Sequence, residues 1–306
     1  MFNFSLRRKL DRVRHVWGVG NIWTPEAMSH WLQHPLVQAR IDAKVTDGTG
    51  DRFQYFLRRY LSNKLPVERA LTIGCGGGEL ERGLCKYDFA RVHEGIDIAE
   101  RAVSDACSAA ENAGFNHLEY RVADANRVRL PSEKYDVVFG VSAIHHIERL
   151  EHLFAEVRKA LKPGGYFFLD EYIGPSKFQW TDTQLRVMNE QLSLLPSEIK
   201  RRISDPAEIK SHVERKTVSF MNESDPSEAV RSGEIVPLLE RHFKVLEFKG
   251  YGGSLLHELL YDIVGNFTEK HPRSLAHLER LFRVEDEQIA LGELQHDFAV
   301  IVAQQD

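Results

Sequence analysis

The stretch Ala70-Leu71-Thr72-Ile73-Gly74-Cys75-Gly76-Gly77-Gly78-Glu79-Leu80-Glu81-Arg82-Gly83-Leu84 decides how the chain folds. A short apolar run (Ala70, Leu71, Ile73) ends in a glycine cluster, and a helix-compatible segment follows, so the order is strand, tight turn, helix. Gly74, Gly76 and Gly78 stand at G-x-G-x-G spacing, and residues without a Cβ let a backbone approach a ligand closely. A dinucleotide loop needs its third small residue one place later, where Glu79 stands. Glu81 follows in the same helical turn. Two carboxylates repel a pyrophosphate but do not oppose a cation, so the loop suits a sulfonium or an amine.

Outward from that loop the chain alternates strand and helix. Arg91–Asp97 reads as a second strand, Arg101–Ala113 as an alanine-rich helix, His117–Val122 as a third strand and Tyr135–Val141 as a fourth. Ile147–Leu161 reads as a helix stopped by Lys162-Pro163-Gly164-Gly165, and Tyr166–Tyr172 as a fifth strand. Strands separated by helices of this length imply a parallel sheet covered on both faces, with ligands at the carboxyl ends of its strands.

The alternation breaks at Gly174-Pro175. Trp180, Leu185, Met188, Leu192 and Leu195 mark one helix, Ser227–Phe243 another, and Phe243–Phe248 a sixth strand. An apolar helix from Leu255 to about Phe267 and a final strand over His296–Ala303 complete this half. Ahead of the core, Phe2, Leu6, Leu10, Val13 and Trp17 recur at helical spacing, with Arg7, Arg8, Lys9, Arg12 and Arg14 largely elsewhere around the wheel. Such a helix packs one face on the domain, or lies on a membrane surface or an anionic substrate. Thr24-Pro25 suits a helix start, and Trp17, Trp23 and Trp31 are core anchors or parts of a lid.

Composition narrows the class. The 306 residues, 42% hydrophobic and 28% charged, are those of an ordinary globular protein, and a formal net charge of −5 supplies no global attraction to nucleic acid. Cys75, Cys85 and Cys107 form no C-x-x-C pair, so neither a disulfide framework nor a zinc site is expected. No run of about 18 apolar residues and no signal-peptide core is present, and a cytoplasmic protein is expected.

With these motifs in order, the chain resembles a class I S-adenosylmethionine-dependent methyltransferase over residues 66–172 and more loosely 242–306. Gly74-Cys75-Gly76-Gly77-Gly78 matches the family's first motif, Asp97 the acidic residue that ends its second strand, and Asp124 the acidic residue after its third. Tyr135-Asp136-Val137-Val138-Phe139 matches its fourth strand, and Leu161-Lys162-Pro163-Gly164-Gly165 the turn before its fifth. The resemblance implies S-adenosylmethionine as cofactor, leaving as S-adenosylhomocysteine. It would be held by Gly74, Cys75, Gly76, Gly78, Asp97, Ile98, Asp124, Ala125 and Val141, with Asp97 on the ribose hydroxyls and Asp124 at the adenine amino group. Each aspartate also suits a helix N-cap. Where the family often carries an acid two places before the first glycine, this chain has Thr72.

Methyl transfer to a hydroxyl needs a base. The candidates lie just past two strand ends: His145 and His146 after the fourth, Glu171 and Tyr172 at the fifth. Adjacent histidines diverge on a regular backbone, so one is expected to face the acceptor, with His145 favoured, and helix capping and packing are the alternative roles. No carboxylate or cysteine stands at ligand spacing from the pair, so no metal is expected. The segment Asp170–Trp180 resembles one in bacterial methyltransferases of glycan and other small-molecule biosynthesis, where Gln179 and Trp180 would suit a sugar or a flat ring.

The expected protein is therefore α/β, a doubly wound, seven-stranded, mostly parallel sheet whose last strand runs antiparallel by resemblance. Residues 1–65 form a helical lid, 66–173 the cofactor-binding core, 174–241 an inserted helical cap, and 242–306 the rest of the sheet with inserted helices. The expected reaction methylates an oxygen or nitrogen of a small molecule or glycan precursor, in a protein open to homo-oligomerisation. Rivals are a nucleic-acid or protein methyltransferase, resting on the basic clusters Arg7–Arg14 and Lys200–Arg202, and a cofactor-binding sensor without turnover.

Overall fold

The computed structural model describes Val13, residues 28–270 and residues 272–305. The amphipathic helix expected over Phe2–Trp17, the helix start at Thr24-Pro25, and Trp23 lie outside the described residues, save for Val13. Among the described residues two α-helices lead into the sheet, α1 (Pro35–Thr46) and α2 (Arg52–Leu61). Asp51 caps the second, its side chain accepting from Gln54 N at 2.8 Å.

The core follows the expected alternation: β1 (Val67–Ile73), α3 (Glu79–Cys85), β2 (Ala90–Asp97), α4 (Glu100–Asn112), β3 (Leu118–Val122) and β4 (Tyr135–Val141). Then come α5 (Leu150–Ala160), β5 (Leu161–Tyr172), α6 (Asp182–Ser193), α7 (Val218–Ser224) and α8 (Ile235–His242). The chain closes with β6 (Lys244–Gly252), α9 (Leu256–Leu260), α10 (Pro272–Ala290) and β7 (Phe298–Gln304). The seven strands form one sheet in the order β3-β2-β1-β4-β5-β7-β6, all parallel except β7, which runs antiparallel to β5 and β6. The strand order reverses between β1 and β4, and there the carboxyl ends splay into a crevice.

Both faces of the sheet are buried, which is why its central strands read as unbroken apolar runs. Along β4, Val137 and Phe139 face α1, α2 and the helices after β6, while Val138 faces α5 and α8. Phe56 of α2 packs against Phe139 and Phe168 with ring centroids 6.0 and 4.9 Å apart, anchoring the N-terminal helices on the sheet.

Several boundaries differ from the sequence pattern for local reasons. Ile144–His146 forms a separate 3-10 turn, and α5 begins only at Leu150. Lys162-Pro163-Gly164-Gly165 is not a turn ahead of β5 but an irregularity inside it, the register shifting between Tyr135↔Leu161 and Val137↔Tyr166. The helix expected over Ser227–Phe243 shrinks to α8, because Asp225 accepts the Ser227 N–H at 2.8 Å and holds a turn there. The apolar helix after Leu255 ends at Leu260, and Asp262 takes a left-handed φ of 63°. The sequence pattern left α10 unread. In the expected cap, Thr181 and Gln184 box the start of α6, which buries Met188 and Leu192, while Trp180 and Leu195 flank the helix.

Candidate functional site

The glycine turn is built as its residue types demand. Gly74, Gly76 and Gly78 have φ of 70°, 51° and 77°, a region that costs other residues about 1–2 kcal/mol. A Cβ on Gly74 would stand 2.4 Å from Ala143 Cβ, so this glycine admits the loop after β4, whereas nothing lies within 4 Å of a Cβ on Gly76. Asp97, at the tip of β2, fastens the turn: its Oδ2 accepts from Gly76 N at 3.0 Å and its Oδ1 from Ala99 N at 2.8 Å. Asp124 Oδ1 similarly accepts from Asn126 N at 2.9 Å, while Arg127 Nε stands 3.7 Å from its Oδ2.

These ends enclose a cavity of about 600 Å³. Gly74, Gly76, Asp97, Ile98, Asp124 and Ala125 line it, so six of the nine expected cofactor residues converge there. Val13 lines it too, as do Ser227 and Val230 from the expected cap. The other three residues lie elsewhere. Cys75 is buried with its side chain against Gly95 of β2, Gly78 faces Tyr120 and Arg82, and Val141 is not part of the wall. Of the two carboxylates expected beside a cationic ligand, Glu79 is exposed and Glu81 turns inward, fully buried. Glu81 reaches toward Thr72 without a hydrogen bond of normal geometry, and burial raises its pKa to about 7.

The histidine pair departs from expectation. His146, not His145, lines the cavity. The 3-10 turn carries both rings to the same side, with centroids 4.1 Å apart. His145 Nδ1 lies 2.7 Å from Glu171 Oε2, and Glu171 Oε1 accepts from Ala143 N and Ile144 N at 2.6 Å each. Glu171 and Tyr172 are therefore buried beneath the histidines, not open at the ligand edge. Burial disfavours a charged His145, but the carboxylates of Glu171, Glu228 and Asp225 outweigh it and raise its pKa. Burial and the neighbouring His145 hold His146 well below its usual value. Burial, with Asp297 and Glu228 nearby, pushes the Tyr172 phenol well above the usual range.

Sequence reasoning missed Glu228 and Ser227, which arrive from far along the chain. Glu228 Oε1 stands 3.6 Å from His145 Nε2, and Ser227 Oγ stands 3.3 Å from His146 Nδ1 while donating to Asp225 Oδ1 at 2.7 Å. No local spacing signals these partners. They bring to the histidines a carboxylate that no sequence spacing supplies. Trp180 and Gln179 do not form an acceptor platform. Trp180 is buried and stacked on Phe178 (5.4 Å, 9°), and Gln179 Nε2 donates to the carbonyls of Lys177 and Lys216. Within the Lys200–Arg202 cluster, Arg202 pairs with Asp262 and Glu208, and Arg201 donates to the Pro206 carbonyl at 3.1 Å. No helix among the described residues is long and apolar enough to cross a membrane.

A family profile described as a methyltransferase domain matches residues 71–169. The chain is 29% identical over 144 residues to a sterol 24-C-methyltransferase of Gibberella zeae, covering 47% of this chain and 37% of that protein. It is 36% identical over 146 residues to a ubiquinone biosynthesis O-methyltransferase of Cereibacter sphaeroides, covering 47% and 55%. The matches thus span roughly a third to a half of these curated relatives. The structure of geranyl diphosphate C-methyltransferase from Streptomyces coelicolor A3(2) superimposes with a TM-score of 0.56 over 97% of this chain and 98% of that one, at 14% identity, which identifies a shared fold.

Proposed function

Residues 71–169 belong to the methyltransferase-domain family, and on that premise we propose that the chain transfers a methyl group from S-adenosylmethionine to an oxygen or nitrogen of a small molecule or glycan precursor. The observation that carries this reading is the 600 Å³ cavity where the glycine turn, Asp97 and Asp124 meet. The fit is chemical. Gly76 opens onto free space, and each Asp97 oxygen takes one backbone N–H and keeps a lone pair for a hydroxyl donor. Asp97 would hold the ribose hydroxyls and Asp124 the adenine amino group. The bound cofactor supplies an electrophilic methyl on a cationic sulfur.

What the chain does is position and exclude. Ile73, Ile96, Ala123 and Ile147 give the cavity apolar walls that keep water from the reacting groups. His146 faces the same space, and burial beside His145 keeps its imidazole neutral, so it can accept a hydrogen bond from an acceptor hydroxyl or amine and orient it. His145, Glu171 and Tyr172 act through His146 as positioning residues. The curated relatives named above are methyltransferases of a sterol and of ubiquinone biosynthesis, which supports a small acceptor with an apolar body.

Calorimetry with S-adenosylhomocysteine, followed by incubation with labelled S-adenosylmethionine and panels of phenolic, amine and sugar acceptors, tests the reading. Saturable binding and acceptor-dependent label transfer are expected. Absence of binding at millimolar concentration removes the cofactor assignment, and binding without transfer to any acceptor favours a sensor.

A further inference from the structure

Glu228 and the two histidines converge at one point of the cavity wall. The gap of 3.6 Å between His145 Nε2 and Glu228 Oε1 is too long for a hydrogen bond. One donor atom from each of His145, His146 and Glu228 lies within 4.8 Å of the others. Both imidazoles are braced from behind. Glu171 holds His145 Nδ1 at 2.7 Å, which leaves Nε2 facing the gap, and Ser227 stands 3.3 Å from His146 Nδ1 with Asp225 behind it. A carboxylate on the far nitrogen of a histidine is the outer-sphere support that metal-ligating imidazoles carry.

We propose that His145, His146 and Glu228 bind a single divalent transition-metal ion of the zinc or cobalt type at the wall of the cavity. Two imidazoles and one carboxylate favour such ions over Mg2+ or Ca2+, which prefer all-oxygen shells. Three protein ligands leave a coordination position open, as in catalytic rather than structural sites. His146 reaches the cavity, so that position faces the space where an acceptor would lie. Tetrahedral bonds of about 2.0–2.1 Å need donors about 3.3 Å apart, which is about 0.3 Å closer than His145 Nε2 and Glu228 Oε1 stand and at most about 1.5 Å closer than any pair of the three; Glu228, partly exposed on the expected cap, can move in. The local charge favours a cation. Glu171, Asp225 and Glu228 surround the pair, and Lys177, whose Nζ donates to the Pro226 carbonyl at 2.8 Å, is the opposing ammonium that acts on the same groups.

The site does not depend on the methyl-transfer reading. What does rest on it is the consequence that the acceptor presents an oxygen donor to the ion, which then meets the acceptor in place of the His146 imidazole. The test titrates Co2+ and Zn2+ into the full chain after chelator treatment, by calorimetry and by the visible absorption of bound Co2+. One equivalent is expected for the native chain, with affinity lower by at least about 100-fold in Glu228→Gln and in His146→Ala. Circular dichroism and thermal melts establish that the variants fold. S-Adenosylhomocysteine binding to the same metal-free protein, measured in parallel, tests the cofactor reading separately. Absence of Co2+ absorption, equal uptake by both folded variants and the native chain, or Mg2+ binding as tight as Zn2+ each overturns the assignment.

Discussion

Glu171 clamps His145 from beneath: its Oε2 lies 2.7 Å from His145 Nδ1, while its Oε1 takes the backbone N–H groups of both Ala143 and Ile144. One buried carboxylate from the end of β5 therefore shapes the whole turn after β4. Glu171→Ala leaves two buried N–H groups and an imidazole without their acceptor, and a loss of about 3–5 kcal/mol is expected. Glu171→Gln keeps an acceptor oxygen for the two N–H groups, and a smaller loss of about 1–2 kcal/mol is expected. Urea melts of the two variants distinguish them. Equal losses would show that the backbone clamp carries none of the stability.

Asp97 fastens the glycine turn and keeps its free lone pairs toward the cavity. Asp97→Ala removes both functions. Two charge-assisted hydrogen bonds at about 1.5 kcal/mol or more each predict S-adenosylhomocysteine affinity lower by roughly 100-fold or more. Calorimetry reads this directly, and an unchanged dissociation constant would dismiss Asp97 as the ribose anchor.

Gly74 and Gly76 both have left-handed φ, but only Gly74 is crowded, its would-be Cβ 2.4 Å from Ala143 Cβ. Gly76→Ala is expected to cost the backbone strain alone, about 1–2 kcal/mol. Gly74→Ala adds a steric overlap that either the glycine turn or the loop after β4 must move to relieve, so its melting temperature is expected to fall further. Gly76→Ala melting below Gly74→Ala would contradict this packing.

The sheet was legible because its central strands are apolar and punctuated by glycine, and because Asp97 ends β2 and Asp124 follows β3 at the expected places. Tyr135–Val141 was readable to the residue. The histidine pair was legible as chemistry but not as geometry. Which ring meets the cavity depends on a 3-10 turn that Glu171 holds, and on Ser227 and Glu228 from a segment whose position no local pattern encodes. Glu81 shows the same limit: a carboxylate in a first helical turn reads as exposed, yet here it lies under the glycine turn beside Thr72. Helix α10 escaped because Glu285 stands in the apolar stripe of Leu278, Leu281 and Ile289, and the reason for a buried acid appears only with its partners. Glu285 Oε1 accepts from Gly253, Leu255 and Leu256 N–H groups at 2.9–3.1 Å.

Asp297 ties the ends of β5 and β7 to α6, taking a hydrogen bond from Gln184 Nε2 at 2.9 Å while almost wholly buried. Burial raises its folded pKa to about 7, against about 3.9 in an unfolded chain. The folded state therefore holds this proton more tightly than the unfolded state does. The resulting stability is fully present below about pH 4, falls by up to about 1.4 kcal/mol per pH unit as the unfolded carboxyl ionises, and is lost once pH passes about 7. Asp297→Asn stays neutral throughout and can still accept from Gln184. Relative to the native chain, the variant is expected to gain on the order of 2–4 kcal/mol between pH 4 and pH 8, with no further gain above it. Urea midpoints of both proteins at pH 4.5, 6 and 8 measure the difference, in which the other titrating groups largely cancel. A difference that is flat with pH would mean that Asp297 ionises normally and that water reaches the junction between the sheet and α6.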